Sequence, residues 1–177
     1  MYIFLETERL ILRELLPSDA AGMYELDSNA EVHRYLGRKP VTTITEVHNA
    51  IAHIRQQYAD NGIGRWAMIE KATGDFMGWT GLKLVRTLTN GHIDYYDLGY
   101  RMIPRYWGKG HATDSAMAAV QYGFEQLHAP VIYGMADVNN KASRRVLEKA
   151  GLHYVETFDH EGTAHDWLQL TREDWRI

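Results

Sequence analysis

The residues best equipped for chemistry lie together at Arg105-Tyr106-Trp107-Gly108-Lys109-Gly110-His111-Ala112-Thr113. They follow Asp97 to Ile103, which reads as a strand bounded by Pro104. After Gly110, Ala112, Ala116, Val120 and Phe124 recur every four residues, with Met117 and Leu127 widening the stripe. That spacing predicts an amphipathic helix over 108–127. A helix start leaves backbone N–H groups unpaired and carries the positive end of the dipole, so it attracts an anion. Gly108 and Gly110 lack a Cβ, which lets a bulky anion lie against the main chain, and Arg105 and Lys109 add positive charge. Together these features describe a phosphate cradle. It has neither the Gly-x-x-x-x-Gly-Lys-Ser/Thr spacing of a Walker loop nor the Gly-x-Gly-x-x-Gly of a dinucleotide turn.

The other reactive side chains narrow the chemistry. The chain has no cysteine, which removes thiol nucleophiles, disulfides and Cys-based zinc sites. No Ser-His-Asp arrangement stands out. There are nine histidines, and His160 and His165 flank Glu161 and Asp166, but their spacing matches no metal site, so none is expected.

Arg105-Tyr106-Trp107-Gly108-Lys109-Gly110, with Ala112 after it, resembles the Arg/Gln-x-x-Gly-x-Gly/Ala pyrophosphate loop of the GNAT family of N-acetyltransferases. Leu98-Gly99-Tyr100-Arg101, Asn140-Lys141-Ala142-Ser143 and Leu147-Glu148-Lys149-Ala150-Gly151-Leu152 resemble its RimJ/RimL-like branch, named for enzymes that acetylate ribosomal-protein N-termini. The opening Glu6-Thr7-Glu8-Arg9-Leu10-Ile11-Leu12-Arg13 fits the same branch, so the likeness spans nearly the whole chain.

The resemblance implies an α/β fold: a mixed, mostly antiparallel twisted sheet with a central, splayed parallel strand pair, flanked by helices. It implies transfer of the acetyl group of acetyl-CoA to a primary amine, either a protein N-terminus or a small molecule, by direct attack. Main-chain groups of Tyr100, Arg101, Met102 and Ile103, beside a bulge, would bind pantetheine and polarise the thioester. Arg105 and the amides of Trp107, Gly108, Lys109, Gly110, His111, Ala112 and Thr113 would hold the pyrophosphate, with His111 lining the cofactor channel or facing solvent. Asn140 would be a cofactor-side hydrogen-bonding residue, a helix cap, or both.

A free amine is mostly protonated at neutral pH, so a base is useful. Asp97, two residues before Gly99, stands where relatives often carry a Glu; it is either that base or a salt-bridged strand carboxylate. Arg101 cannot be its same-strand partner, because four residues at ~3.3 Å rise separate them by about 13 Å. Many relatives place a Tyr acid where this chain has Leu147. Ser143, which the branch suggests for cofactor contact and for protonating the thiolate, is the replacement or a plain helical serine; Tyr133, Tyr95 and Tyr96 are looser candidates. Tyr35, Trp79 and Tyr95, with Trp66 and Tyr96, are aromatic candidates to shape the acceptor pocket. The alternatives are a larger acyl donor such as succinyl-CoA, a CoA-binding sensor or scaffold without turnover, and a nucleotide phosphate enzyme.

Composition fits one domain over 1–177: 45% hydrophobic and 24% charged residues. Lys plus Arg is 19 against 23 Asp plus Glu, a net charge of −4, so neither nucleic acid nor an anionic membrane is an expected partner. A mildly acidic surface is expected to tolerate a cationic amine. No apolar run reaches the ~18 residues of a membrane span and the N-terminus lacks a signal pattern, so the expectation is a cytoplasmic protein, as monomer or homodimer.

The elements that must position these residues follow from periodicity and punctuation. Residues 5–14 read as a first strand around Leu10-Ile11-Leu12, and Pro17-Ser18-Asp19 caps a helix from Ala20 to Leu26. Glu31 to Leu36 reads as a short helix ending at Gly37. Val47, Ile51, Ile54 and Tyr58 give a longer one closed at Asn61-Gly62. Trp66–Ile69, Phe76–Leu82 and His92–Ile103 read as an antiparallel meander with turns at Thr73-Gly74-Asp75 and Asn90-Gly91. Val131–Ala136 reads as a buried strand, parallel to His92–Ile103 because a helix intervenes. A helix capped by Asn139 or Asn140 and closed by Gly151 precedes a hairpin of Leu152–Phe158 and His165–Leu170.

Overall fold

The structure is a computed structural model describing residues 1–175. Its first hairpin pairs β1 (Ile3–Glu6) with β2 (Leu10–Glu14), where the sequence suggested a single strand. Thr7 makes the turn: its hydroxyl accepts from the amides of Arg9 (3.3 Å) and Leu10 (3.0 Å), a local bond that competes with a continuous strand. A 3-10 turn at Pro17–Asp19 leads into α1 (Ala20–Asp27), and α2 spans Ile44–Asn61. Thr43 and Glu46 form a capping box at the start of α2, and Gly62, at φ 69°, ends it.

The helix expected at 31–36 is absent; the segment is a succession of turns. The Asn29 side chain accepts from the amides of Glu31 (2.9 Å) and Val32 (3.3 Å), and Gly37 and Arg38 take positive φ. Six residues so punctuated cannot repay helix nucleation. The connection instead closes on itself, with the Val41 amide donating to the Asp27 carbonyl at 2.9 Å.

β3 (Trp66–Glu70), β4 (Phe76–Val85) and β5 (Tyr95–Met102) form the expected meander. Then come α3 (His111–Glu125), β6 (Val131–Asp137), α4 (Lys141–Lys149), β7 (His153–His160) and β8 (Thr163–Thr171). The sheet order is β1-β2-β3-β4-β5-β6-β8-β7, with β5 and β6 the parallel pair among antiparallel neighbours.

Register assigns the faces. Thr80 of β4 accepts a hydrogen bond from Ser115 of α3 at 3.0 Å, whereas the adjacent Trp79 points the opposite way and pairs in register with Arg101, which bonds Asp27 of α1. α3 and the end of α1 therefore lie on opposite faces. A bulge between Met68 and Ile69, opposite Gly78, shifts the β3–β4 register and turns Phe76 toward Gly22 of α1. A Cβ on Gly78, at φ 147°, would sit 2.1 Å from the Arg101 carbonyl oxygen, so only glycine allows β4 this approach to β5. The expected bulge is thus in β3–β4, one strand pair away; β4–β5 register is continuous from Gly78–Met102 to Val85–Tyr95.

β5 and β6 pair only at Tyr96–Ile132 and Asp97–Tyr133. Beyond that rung β5 runs on to Met102 and β6 to Asp137 without pairing, which opens a wedge in the middle of the sheet. The expected splayed pair is present.

Candidate functional site

The loop after β5 is built from a 3-10 turn at Pro104–Tyr106 and two glycines in left-handed conformation, Gly108 (φ 74°) and Gly110 (φ 83°). Gly110 is the N-cap of α3 and offers no side-chain cap. The amides of Gly108, Lys109, Gly110, His111, Ala112 and Thr113 make no hydrogen bond among the described residues; the next one, of Asp114, donates to the Gly110 carbonyl at 3.0 Å. Buried or crowded amides are normally paired, so this run of free donors at a helix start is a ready anion seat. A Cβ on Gly108 would meet nothing within 4 Å, so the seat is open.

Three ties hold the loop. Trp107 Nε1 donates to the Met102 carbonyl at 2.8 Å, binding the loop to the end of β5. Arg9, in the β1–β2 turn, donates through Nη1 to the Lys109 carbonyl and through Nε to Asp114, both at 2.9 Å. The Arg105 guanidinium pairs with Glu25 of α1. Lys109 forms no ion pair among the described residues and lies 5.8 Å from the Tyr106 ring centre. His111 does not face solvent: its side chain is buried, and burial, then Arg9, lowers its pKa.

Tyr100, paired in register with Thr80, lies on the same face as α3. Burial pushes the Tyr100 phenol up, with the Ser143 side chain opposing. Asn140 caps α4, its Oδ1 accepting from the Ser143 amide at 3.1 Å. Leu147 is core: it is 2% exposed, and a Cβ on Gly134 would meet its Cδ2 at 3.0 Å.

The opposite face carries ions. Arg65 is buried with Asp97, bonding both its carboxylate Oδ2 and its carbonyl, the latter at 2.6 Å. Asp97 is thus a salt-bridged carboxylate on its strand. Arg101 Nη1 donates to Asp27 Oδ1 at 2.7 Å. The Trp79 ring lies between the two guanidinium groups, 5.3 Å from Arg65 and 5.1 Å from Arg101. His33 Nε2 is 3.9 Å from the same Asp27 oxygen, too far for a hydrogen bond; burial and then Arg101 lower its pKa. Tyr35 is half-buried on the same connection. Tyr95 is 6% exposed and packs edge-on at 5.4 Å against both Tyr133 and Trp167.

Sequence reasoning missed Arg9, Asp27, His33, Arg65 and Lys83. Arg9 lay inside the opening stretch already singled out, but nothing local ties it to a loop a hundred residues on. Among the described residues no three metal-ligating side chains cluster, and no helix is long and apolar enough to cross a membrane.

A wedge in a mixed sheet thus opens beside a loop of free amides. Residues 9–153 match the family model "Acetyltransferase (GNAT) domain", and the chain belongs to that family. An uncharacterized N-acetyltransferase of Bacillus subtilis (strain 168), YoaA, is 30% identical over 95% of this chain and 89% of its own length. The FsC-acetyl coenzyme A-N(2)-transacetylase of Aspergillus fumigatus is 31% identical over 97% of this chain and 77% of its own. Spermidine N-acetyltransferase from Vibrio cholerae, solved with CoA and spermine, shares the fold at a TM-score of 0.76 and 17% identity, covering 95% of this chain and 98% of that one.

Proposed function

We propose that this chain is an acetyl-CoA-dependent N-acetyltransferase acting on a primary amine by direct attack. The observation that carries the reading is the run of six unpartnered amides from Gly108 to Thr113 opening beside the β5–β6 wedge. Those amides and Lys109 would hold the diphosphate. The unpaired edge of β5 from Leu98 to Met102 would receive the pantetheine arm, as one added strand would. Acetyl-CoA, when bound, supplies an activated acyl carbon.

The chain's own groups then divide the proton work. Ser143, backed by a Tyr100 phenol that burial keeps protonated, is the donor to the departing thiolate. Asp97 fixes Arg65 against Trp79 and so shapes the acceptor face. Burial and Arg101 disfavour a charged His33, so the incoming ammonium gives its proton to solvent before it attacks. The fungal relative named for N(2) transacetylation supports an amine acceptor, and the early motifs favour the RimJ/RimL-like branch.

Gly110→Trp fills the seat, so it should abolish CoA binding by calorimetry while the fold, read by circular dichroism, persists. Unchanged affinity refutes the seat. Leu147 in place of the usual Tyr favours a second reading, a CoA-binding module without turnover. Release of free thiol with a panel of amines separates the two, because the module binds CoA and releases none.

A further inference from the structure

We infer that the acceptor is an amine bearing an anionic group about two residues' length away, and that Lys83 receives that group. The inference rests on the transferase reading. With the diphosphate seat and α4 on the α3 face, a thioester threaded through the wedge presents its acyl carbon to the opposite face, so the acceptor approaches over Trp79, Lys83 and Arg101.

The charges on that face do not match the chain's net −4. Three cations, Arg65, Lys83 and Arg101, stand against two carboxylates, Asp27 and Asp97. Both carboxylates are committed, Asp97 to Arg65 and Asp27 to Arg101. Lys83 is paired in register with Asp97, yet its ammonium makes no hydrogen bond or ion pair among the described residues. Burial, then Arg65, lowers its pKa, with Asp97 opposing. Half-buried lysines without a partner are costly, and an anion from the substrate would remove the cost. The overlying connection adds exposed Arg38 and Lys39, while its Arg34 and Glu31 approach to 3.8 Å and cancel.

A polyamine would therefore meet three cations against two carboxylates that are both paired, the other carboxylate of this face, Asp137 on β6, accepting from the Asn139 amide. An anion fits, and the register gives its distance. Asp97 lies on the last closed rung of the β5–β6 pair, Lys83 faces it from β4, and Gly99 lies two residues further, about 7 Å along the strand. Two extended residues span about the same length. An extended dipeptide with a free carboxylate thus reaches from Lys83 to the open wedge.

The test compares alanyl-alanine, its C-terminal amide and spermidine as acceptors, following thiol release from acetyl-CoA. The acid should exceed the amide at least tenfold in kcat/KM, and spermidine should be slower than both. Lys83→Met should bring the acid-to-amide ratio close to one by raising KM for the acid, and Lys83→Arg should restore part of it. Calorimetric CoA affinity equal to the parent's certifies each variant as folded, with Lys83→Gln used if Lys83→Met fails that standard. A ratio of one in the parent, a preference for spermidine, or a ratio that survives loss of Lys83 overturns the inference. So does no turnover of either dipeptide. In that case the transferase reading falls as well only if the parent also fails to bind CoA or no amine in a wider panel releases thiol.

Discussion

Arg9→Ala tests whether a side chain from the first hairpin governs the cofactor seat. Arg9 makes hydrogen bonds to Lys109 and Asp114, and its Nη2 lies 3.1 Å from where a Gly110 Cβ would be, so its charge stands against the free amides. The pair with Asp114 is substantially exposed, 42% and 37%, so its loss should cost folding no more than about 1 kcal/mol. Affinity should suffer more. A guanidinium about 8 Å from the two charges of a diphosphate, at an effective dielectric constant of about 60, contributes about 1.4 kcal/mol. That is tenfold in Kd. The Asp114 carboxylate, left uncompensated in the first turn of α3, repels the same anion. Adding Asp114→Asn to Arg9→Ala should therefore recover much of the loss. Calorimetry with CoA on the parent, both single variants and the double variant closes the cycle. If Arg9→Ala binds CoA as the parent does, or if Asp114→Asn brings no recovery, the electrostatic role of Arg9 is wrong.

Asp97→Asn should leave a buried guanidinium unpaired, costing about 3–5 kcal/mol and roughly 6–20 °C in Tm; a near-parental Tm with a rate loss confined to low pH would instead restore Asp97 as a base. Ser143→Ala and Tyr100→Phe should each slow thiol release about a hundredfold, the low end for a general acid, and the double variant should be little worse than either, whereas multiplicative losses would separate the two groups. Burial lowers the pKa of both His33 and His111 below the ordinary 6.5. As pH falls through about 6.5 the unfolded chain binds these protons before the folded one does, so their stabilisation is complete above that pH and lost below it. Urea midpoints should drop between pH 7.5 and 5.5, and the drop should shrink in His33→Gln/His111→Gln; an identical drop would remove these two side chains as its cause.

Most of the fold was legible because its signals are local. The α3 stripe, the Asn61-Gly62 stop and the strand-helix-strand order each report on neighbours in sequence, and the parallel β5–β6 pair followed from connection rules alone. What failed was also local in cause. Residues 31–36 carry apolar residues at helical spacing, and Asn29 accepts from the amides of Glu31 and Val32 as a helix cap does, but Gly37 and Arg38 turn to positive φ and stop the chain before a second turn can form. At the first hairpin, one threonine hydroxyl outweighed a continuous strand pattern. Such side-chain-to-backbone bonds are hard to weigh against periodicity before the neighbouring packing is known.

The site was legible where chemistry uses the main chain and obscure where it uses side chains. Glycine spacing announces free amides, because a residue without a Cβ takes the left-handed turn at least cost, so the seat could be read from Gly108 and Gly110. The ion pairs could not, because each joins residues far apart in sequence: Arg65 with Asp97, Asp27 with Arg101, Arg9 with Asp114. Once these are formed, the charge available to a ligand differs from the charge counted along the chain. Carboxylates committed to buried arginines no longer attract a cation, and a lysine left out of the pairing attracts an anion. A net charge of −4 led to an expected tolerance for cationic amines; if the acceptor enters over Trp79 and Lys83 as inferred, the paired carboxylates there give it no such attraction.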